Sequence, residues 1–140
     1  MTANVASQKL LRFIERVLMA VNVPQEDAAI VAECLVTANL SGIDSHGVIR
    51  LAHYVRRIEN GTIKTRPELR FERAAPALGL LDGDDGLGHV ITYRACTEAM
   101  RLAEEAGSGT VVISNSSHFG MTGYYIKRMV SAGYAAMMMT

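Results

Sequence analysis

Five side chains between positions 46 and 57 have the types and spacing to do proton and anion chemistry: His46, Arg50, His53, Tyr54 and Arg57. On a helix that advances about 100° per residue, with His46 at zero, Arg50 falls at about 40°, His53 at about −20°, Arg57 at about 20° and Tyr54 at about 80°. The spacing thus predicts one polar face. Val48, Leu51, Ala52, Val55 and Ile58 fall on the opposite face, an apolar stripe able to pack on neighbouring helices. Arginine grips a carboxylate with a planar fork, and imidazole moves a proton near neutral pH, so the polar face suits an anionic substrate. His46 sits in the first turn, where the helix dipole opposes its protonation and favours a neutral base, with Ser45 placed to orient it. The bland alternative is a solvated helix face with no chemistry. His46 and His53 stand two turns apart, too far for one small metal ion, so no metal is expected.

A second constellation follows a β-branched run, Thr110-Val-Val-Ile-Ser114, and reads Asn115-Ser-Ser-His-Phe-Gly120 before a helix opening at Met121-Thr122. Ligands gather at the carboxyl ends of strands in α/β proteins, and the amides of a following helix hold anions. It is neither a G-x-G-x-x-G fingerprint nor a P-loop. The alternative is structural, with Asn115 and the serines capping the turn and the next helix. Asp82-Gly-Asp-Asp-Gly-Leu-Gly88 reads as a glycine-dense turn in which the aspartates would repel an anion, with the role of His89 undecided.

The elements that must position these residues follow from periodicity. Leu10, Leu11, Ile14, Val17, Leu18 and Val21 predict a first helix, and Pro24-Gln-Glu-Asp27 starts a second that runs to Leu40 before Gly42. A third is predicted from about Ser45 to Asn60. After Pro67 the pattern turns to strands at Leu69–Phe71 and Ala77–Leu81 and a helix past Gly88 that stops at Gly107. A buried strand at 110–114, a helix at about 121–131 and a second buried strand at 134–140 follow, with Met137, Met138 and Met139 as core filling. The chain therefore reads as α/β: a helical arm over residues 1–66, then the first part of an α/β unit over residues 67–140. A βαβ unit that stops at its second buried strand leaves an open sheet edge, so an N-terminal portion of something longer is expected.

Composition narrows the classes. The 140 residues carry 14 Lys+Arg against 14 Asp+Glu and are 49% hydrophobic. That is an ordinary globular balance, without the positive charge that drives binding to nucleic acid or anionic membranes. No apolar stretch approaches the roughly 20 residues of a bilayer span, and Met1-Thr-Ala-Asn-Val5 has no basic or apolar leader pattern, which predicts a cytoplasmic protein. Cys34 and Cys96 lie in apolar surroundings far apart in sequence and read as buried thiols.

Taken together, Asp44-Ser-His-Gly-Val-Ile-Arg50, Asp82-Gly-Asp-Asp-Gly-Leu-Gly88 and Asn115-Ser-Ser-His-Phe-Gly120, in this order and spacing, resemble the malate/L-lactate dehydrogenase family of the L-sulfolactate dehydrogenase type. The resemblance spans nearly the whole chain. It implies a fold distinct from the Rossmann dehydrogenases, NAD or NADP as cofactor, and hydride transfer between that cofactor and a small 2-hydroxy or 2-oxo acid. It also implies a homodimer in the full-length protein. By the same resemblance Ser45 and His46 act as relay and proton donor/acceptor, Arg50 holds the substrate carboxylate and Tyr54 lines the substrate pocket. His118, Phe119, Gly120, Met121 and Thr122 match the segment that contacts the nicotinamide cofactor. Some members use the histidine matching His118 as the base, so the resemblance leaves both histidines open. This chain departs from the family at Asp85 and at His89, where glutamine is common. It is also less than half the length of family members. A non-catalytic anion- or partner-binding domain, or an inactive truncated relic, is the alternative.

Overall fold

The structure is a computed structural model describing residues 5–140, so the Met1–Asn4 start from which a leader was judged absent lies outside the described residues. It is a mixed α/β fold. Helices α1 (Ser7–Ala20) and α2 (Gln25–Leu40) are followed by two short 3-10 turns, Asp44–His46 and Val48–Arg50, and by α3 (Leu51–Glu59). Then come β1 (Arg70–Ala75), β2 (Leu78–Gly86), α4 (Gly88–Ala106), β3 (Thr110–Ser116) and α5 (Thr122–Ser131).

The first two helices form as their patterns require. Alpha-1 buries Ile14 and Leu18, while α2 starts after Pro24 with Glu26 and Asp27 in its first turn, where acids complement the dipole. Gly42 and Gly107 take left-handed backbone beyond α2 and α4. Alpha-2 is buried along most of its length because it packs on α1, α4 and α5. Its Ala28, Val31, Ala32, Leu35 and Val36 share a core with Leu51 and Tyr54 of α3 and with Leu87 and Val90 at the start of α4. Cys34 and Cys96 are buried free thiols in a second cluster with Tyr125 and Met129.

The sheet has the order β1-β2-β3, antiparallel between β1 and β2 and parallel between β2 and β3, with α4 as the crossover. Leu81, Ile91 and Ala95 are buried under Phe71, Val111 and Ile113. The strand ends carrying Asp82 and Ser114 lie side by side in register, so the chain leaving β3 passes over the start of α4.

Four expectations are corrected. The third helix does not run from Ser45: it begins at Leu51, and the segment before it is broken at Gly47. The cause is Asn39 of α2, whose Oδ1 accepts the Val48 amide at 2.9 Å while Nδ2 reaches Asp44 Oδ1 at 2.5 Å. A Cβ on residue 47 would land on that carboxamide. The predicted glycine-dense turn is instead the end of β2, bulged between Asp82 and Gly86, with Asp84 and Asp85 at positive φ. Asp82 Oδ1 accepts the Asp84 amide at 2.9 Å, and Lys64 pairs with Asp84 at 2.5 Å, so the bulge is tied locally. Beta-3 is not buried on both faces, since Val112 is 54% exposed. Residues 134–140 form no strand, having no ladder partner; Tyr134, Ala136 and Met138 pack inward while Met137 and Met139 are exposed rather than core.

His89, in the first turn of α4, is fully buried with neither ring nitrogen hydrogen-bonded. Burial, with His118 nearby, pushes its pKa from 6.5 down to about 3. Between those values the unfolded chain binds a proton that the folded chain refuses, so stability is lost as pH falls. We expect urea unfolding between pH 6 and pH 4 to show a loss of about 1.4 kcal/mol per pH unit from this group, absent in His89→Leu. Gly47→Ala should displace Asn39 and cost roughly 1–3 kcal/mol in the same assay.

Candidate functional site

The break at Gly47 decides which side chains face the loop after β3. Tyr54 turns inward and is only 1% exposed, whereas His53 stays exposed and Arg57 turns to Thr62, its Nε 3.3 Å from Oγ1. The single polar face drawn from helical spacing is therefore split. Tyr54, His46 and Arg50 lie on the side of the post-β3 loop.

That loop is clamped to the start of α4. Ser117 Oγ accepts the Gly88 amide at 2.8 Å and donates to the Gly86 carbonyl at 2.9 Å. Asn115, at positive φ, reaches Asp82 Oδ1 with Nδ2 at 3.0 Å. Ser117 and Asn115 thus tie down the turn, as the structural alternative expected, but neither caps the next helix, α5, as that alternative also expected, and the histidine of the loop is left for the cleft.

His118 Nδ1 lies 2.8 Å from Tyr54 Oη, and the Gly120 amide donates to the same nitrogen at 3.3 Å. An amide N–H can only donate, so Nδ1 carries the lone pair and the proton of neutral His118 is on Nε2. Burial pushes the Tyr54 pKa up to about 12, against the lowering influence of Arg50, so the phenol keeps its proton and donates too. Desolvation on its packed side, then His46, Arg50 and His53, hold His118 below the ordinary histidine range. It is neutral at pH 7.

The rings of His46 and His118 stand 5.5 Å apart, tilted by 33°. Ser45 Oγ lies 3.0 Å from His46 Nδ1, which leaves His46 Nε2 without a protein partner among the described hydrogen bonds. Arg50 donates from Nε to the Ser45 carbonyl at 2.7 Å. This holds the guanidinium beside the pair while its two Nη groups keep their donors free for an anion.

The five residues 118–122 stay together. Phe119 stacks on His118 at 6.4 Å, and its carbonyl is fixed by the buried Tyr125 hydroxyl. Met121 precedes α5 with no side chain capping the first turn, and the Tyr124 amide turns back to the Met121 carbonyl at 3.1 Å, which leaves the Thr122 and Gly123 amides without an acceptor among the described hydrogen bonds. Aromatic face, donor amides and the Nε2 proton of His118 are the chemistry that a planar carboxamide-bearing ring or a phosphate needs, so this segment fits a nicotinamide cofactor. Among the described residues no three His, Cys, Asp or Glu side chains gather as a metal set.

Sequence reasoning missed one member, Asn39, and left the role of another, His89, undecided. Asn39 is mid-pattern in an apolar helix and gives no signal. His89 packs edge-on against Tyr54, centroids 4.9 Å apart, and was legible only as a polar residue opening an apolar helix face.

Comparison with known proteins gives the same family as the motifs. The malate/L-lactate dehydrogenase family profile matches residues 5–140. Malate dehydrogenase from Pyrococcus horikoshii is 43% identical over 136 residues, covering 97% of this chain and 38% of the relative, and its solved structure superposes with a TM-score of 0.91 at 44% identity over 94% of this chain and 38% of that one. Sulfolactate dehydrogenase from Methanocaldococcus jannaschii superposes with a TM-score of 0.89 at 34% identity, over 91% of this chain and 37% of that structure. Ureidoglycolate dehydrogenase (NAD(+)) from Escherichia coli K12 is 33% identical over 135 residues, 96% of this chain and 39% of the relative. The chain spans less than two-fifths of the length of each. With its profile matched from residue 5 to residue 140, the chain belongs to the malate/L-lactate dehydrogenase family.

Proposed function

We propose that the parent protein is an oxidoreductase that moves a hydride between NAD or NADP and a small 2-hydroxy acid or its 2-oxo counterpart, in the cytoplasm and as a homodimer. Residues 1–66 supply the arm bearing the proton-transfer turn, and residues 67–140 the first part of the cofactor-binding unit. The relatives' names support the reaction class, since they are malate, sulfolactate and ureidoglycolate dehydrogenases. The observation that carries the reading is the pairing of two histidines whose inner nitrogens are both occupied.

That pairing separates their roles. His118 offers Nε2–H and cannot accept a proton there without giving up its bonds to Tyr54 and Gly120. It therefore donates a hydrogen bond to the substrate oxygen and polarises it. His46, in the tautomer that donates Nδ1–H to the Ser45 hydroxyl, has an Nε2 lone pair to take the hydroxyl proton in oxidation and a proton to return in reduction. Rings 5.5 Å apart let both Nε2 atoms address one substrate oxygen. Arg50 holds the carboxylate, and Tyr54 sets the wall of the pocket and the tautomer of His118. When bound along residues 118–122, the cofactor supplies the hydride acceptor.

The test uses the polypeptide at its native length, established by intact mass, with a panel of 2-oxo acids and NADH or NADPH. His46→Ala should lower kcat by roughly 10²- to 10⁴-fold, and His46→Asn, which keeps a polar side chain but no proton-accepting nitrogen, should lower it about as far. Activity within a few-fold of the parent in His46→Ala would pass the base role to His118. Carboxylate binding with no NAD(P)H turnover would favour a binding module instead. Arg50→Lys should raise KM by roughly 10- to 100-fold with kcat little changed, because lysine lacks the planar fork. An unchanged KM would remove the carboxylate clamp.

A further inference from the structure

His89 is a fully buried polar side chain beside the site that the mechanism above does not use. Its ring is wedged beneath the two residues that set the state of His118. It stands edge-to-face with Tyr54, centroids 4.9 Å apart at 84°, and 6.5 Å from His118 at 69°. Its third neighbour is Gly120, where an added Cβ would fall 2.8 Å from His89 Nε2 and 3.0 Å from Cys34 Sγ. Gly120, at φ 80°, is the residue whose amide reaches His118 Nδ1. Both donors to His118 Nδ1, the phenol and the amide, thus belong to residues that rest against the same buried imidazole.

We propose that His89 is a positioning residue, whose ring holds Tyr54 and Gly120 so that their two donors converge on His118 Nδ1 and fix the tautomer with its proton on Nε2. Three features support it. The ring makes no hydrogen bond of its own, so what it contributes is shape and contact. The residue is tied to the backbone of the site, since the Tyr125 hydroxyl that fixes the Phe119 carbonyl also lies 3.5 Å from the His89 carbonyl. And Tyr54 is only 1% exposed, so the walls packed on its ring, His89 among them, decide where its hydroxyl points.

The consequence is read on His118 itself and needs no turnover. Donors to Nδ1 favour the neutral ring, so loosening them raises the His118 pKa. The groups that face His118 are His46 and Arg50 from the two 3-10 turns, His53 and Tyr54 from α3, and His89 from α4; Cys34 of α2 and Tyr125 of α5 bond to the neighbouring Phe119 carbonyl. Of these only Tyr54 and His89 are changed by the variants below, and the charged neighbours that lower the His118 pKa, His46, Arg50 and His53, are left in place.

The experiment follows the Cε1–H resonances of the four histidines of the chain through a pH titration by NMR, each assigned by single replacement. Tyr54→Phe, which deletes one donor, should move the His118 titration upward. His89→Leu should move it upward by at least half as much, and the double variant should titrate like Tyr54→Phe alone. His89→Asn serves the same comparison if the leucine variant does not fold. Either His89 variant, folded and with the His118 titration unchanged, overturns the proposal. So does a double variant in which the two shifts simply add. The outcome is independent of the dehydrogenase reading, because a loss of hydride transfer leaves the titration standing and a flat titration leaves the reaction class standing.

Discussion

The break in the chain at Gly47 depends on a carboxamide from another helix. Asn39 accepts the Val48 amide and donates to Asp44, which replaces the helical hydrogen bonds that residues 44–50 would otherwise make. Backbone groups must be satisfied somewhere, and here a side chain of α2 supplies the partner. Everything functional downstream follows from that substitution of partners. The two short turns bring the Ser45 carbonyl to Arg50 Nε and the Ser45 hydroxyl to His46, and α3 starts late enough for Tyr54 to point inward. A continuous helix would have left the imidazoles and the phenol side by side in solvent.

The second half of the site is brought up by the sheet. Parallel pairing of β2 and β3 sets Asp82 beside Ser114, and the bulge beyond Asp82 lets β2 run on to Gly86 while Ser117 ties the returning loop to Gly86 and Gly88. Asp84, Asp85 and Asn115 all sit at positive φ, which costs energy for residues with a Cβ, and each lies next to a side-chain or backbone bond that holds the bulge. The strain is spent at the point where the loop must deliver His118 to an α3 residue sixty-four positions away.

Much of this was legible. The helix starts at Gln25, after Pro24, and near Gly88, and the stops at Gly42 and Gly107, rest on local chemistry that sequence displays. So do the three motifs, because the types of His46, Arg50, Tyr54 and His118 announce proton and anion chemistry wherever they fold. What sequence hid was non-local. Asn39 acts only through a segment five to nine residues ahead, Val112 is exposed because the described residues put α4 on one face of the sheet alone, and residues 134–140 alternate in burial without a strand partner. A strand is defined by its neighbour, and composition does not name one.

The electrostatics of the site give these placements a common direction. Burial holds His118 and His89 neutral and keeps the Tyr54 phenol protonated. Arg50 acts on both Tyr54 and His118 and bonds its own neighbour through Nε alone. A cleft that suppresses charge on its aromatic acids and bases while retaining a guanidinium attracts an anion without neutralising itself. It also keeps His118 uncharged, with its Nε2 proton available to a ligand in the cleft. In the proposed reading, selection of an acid substrate and readiness for proton transfer are therefore not separate features of this site. Both follow from burying Tyr54 and one side of His118 beside a single fixed cation.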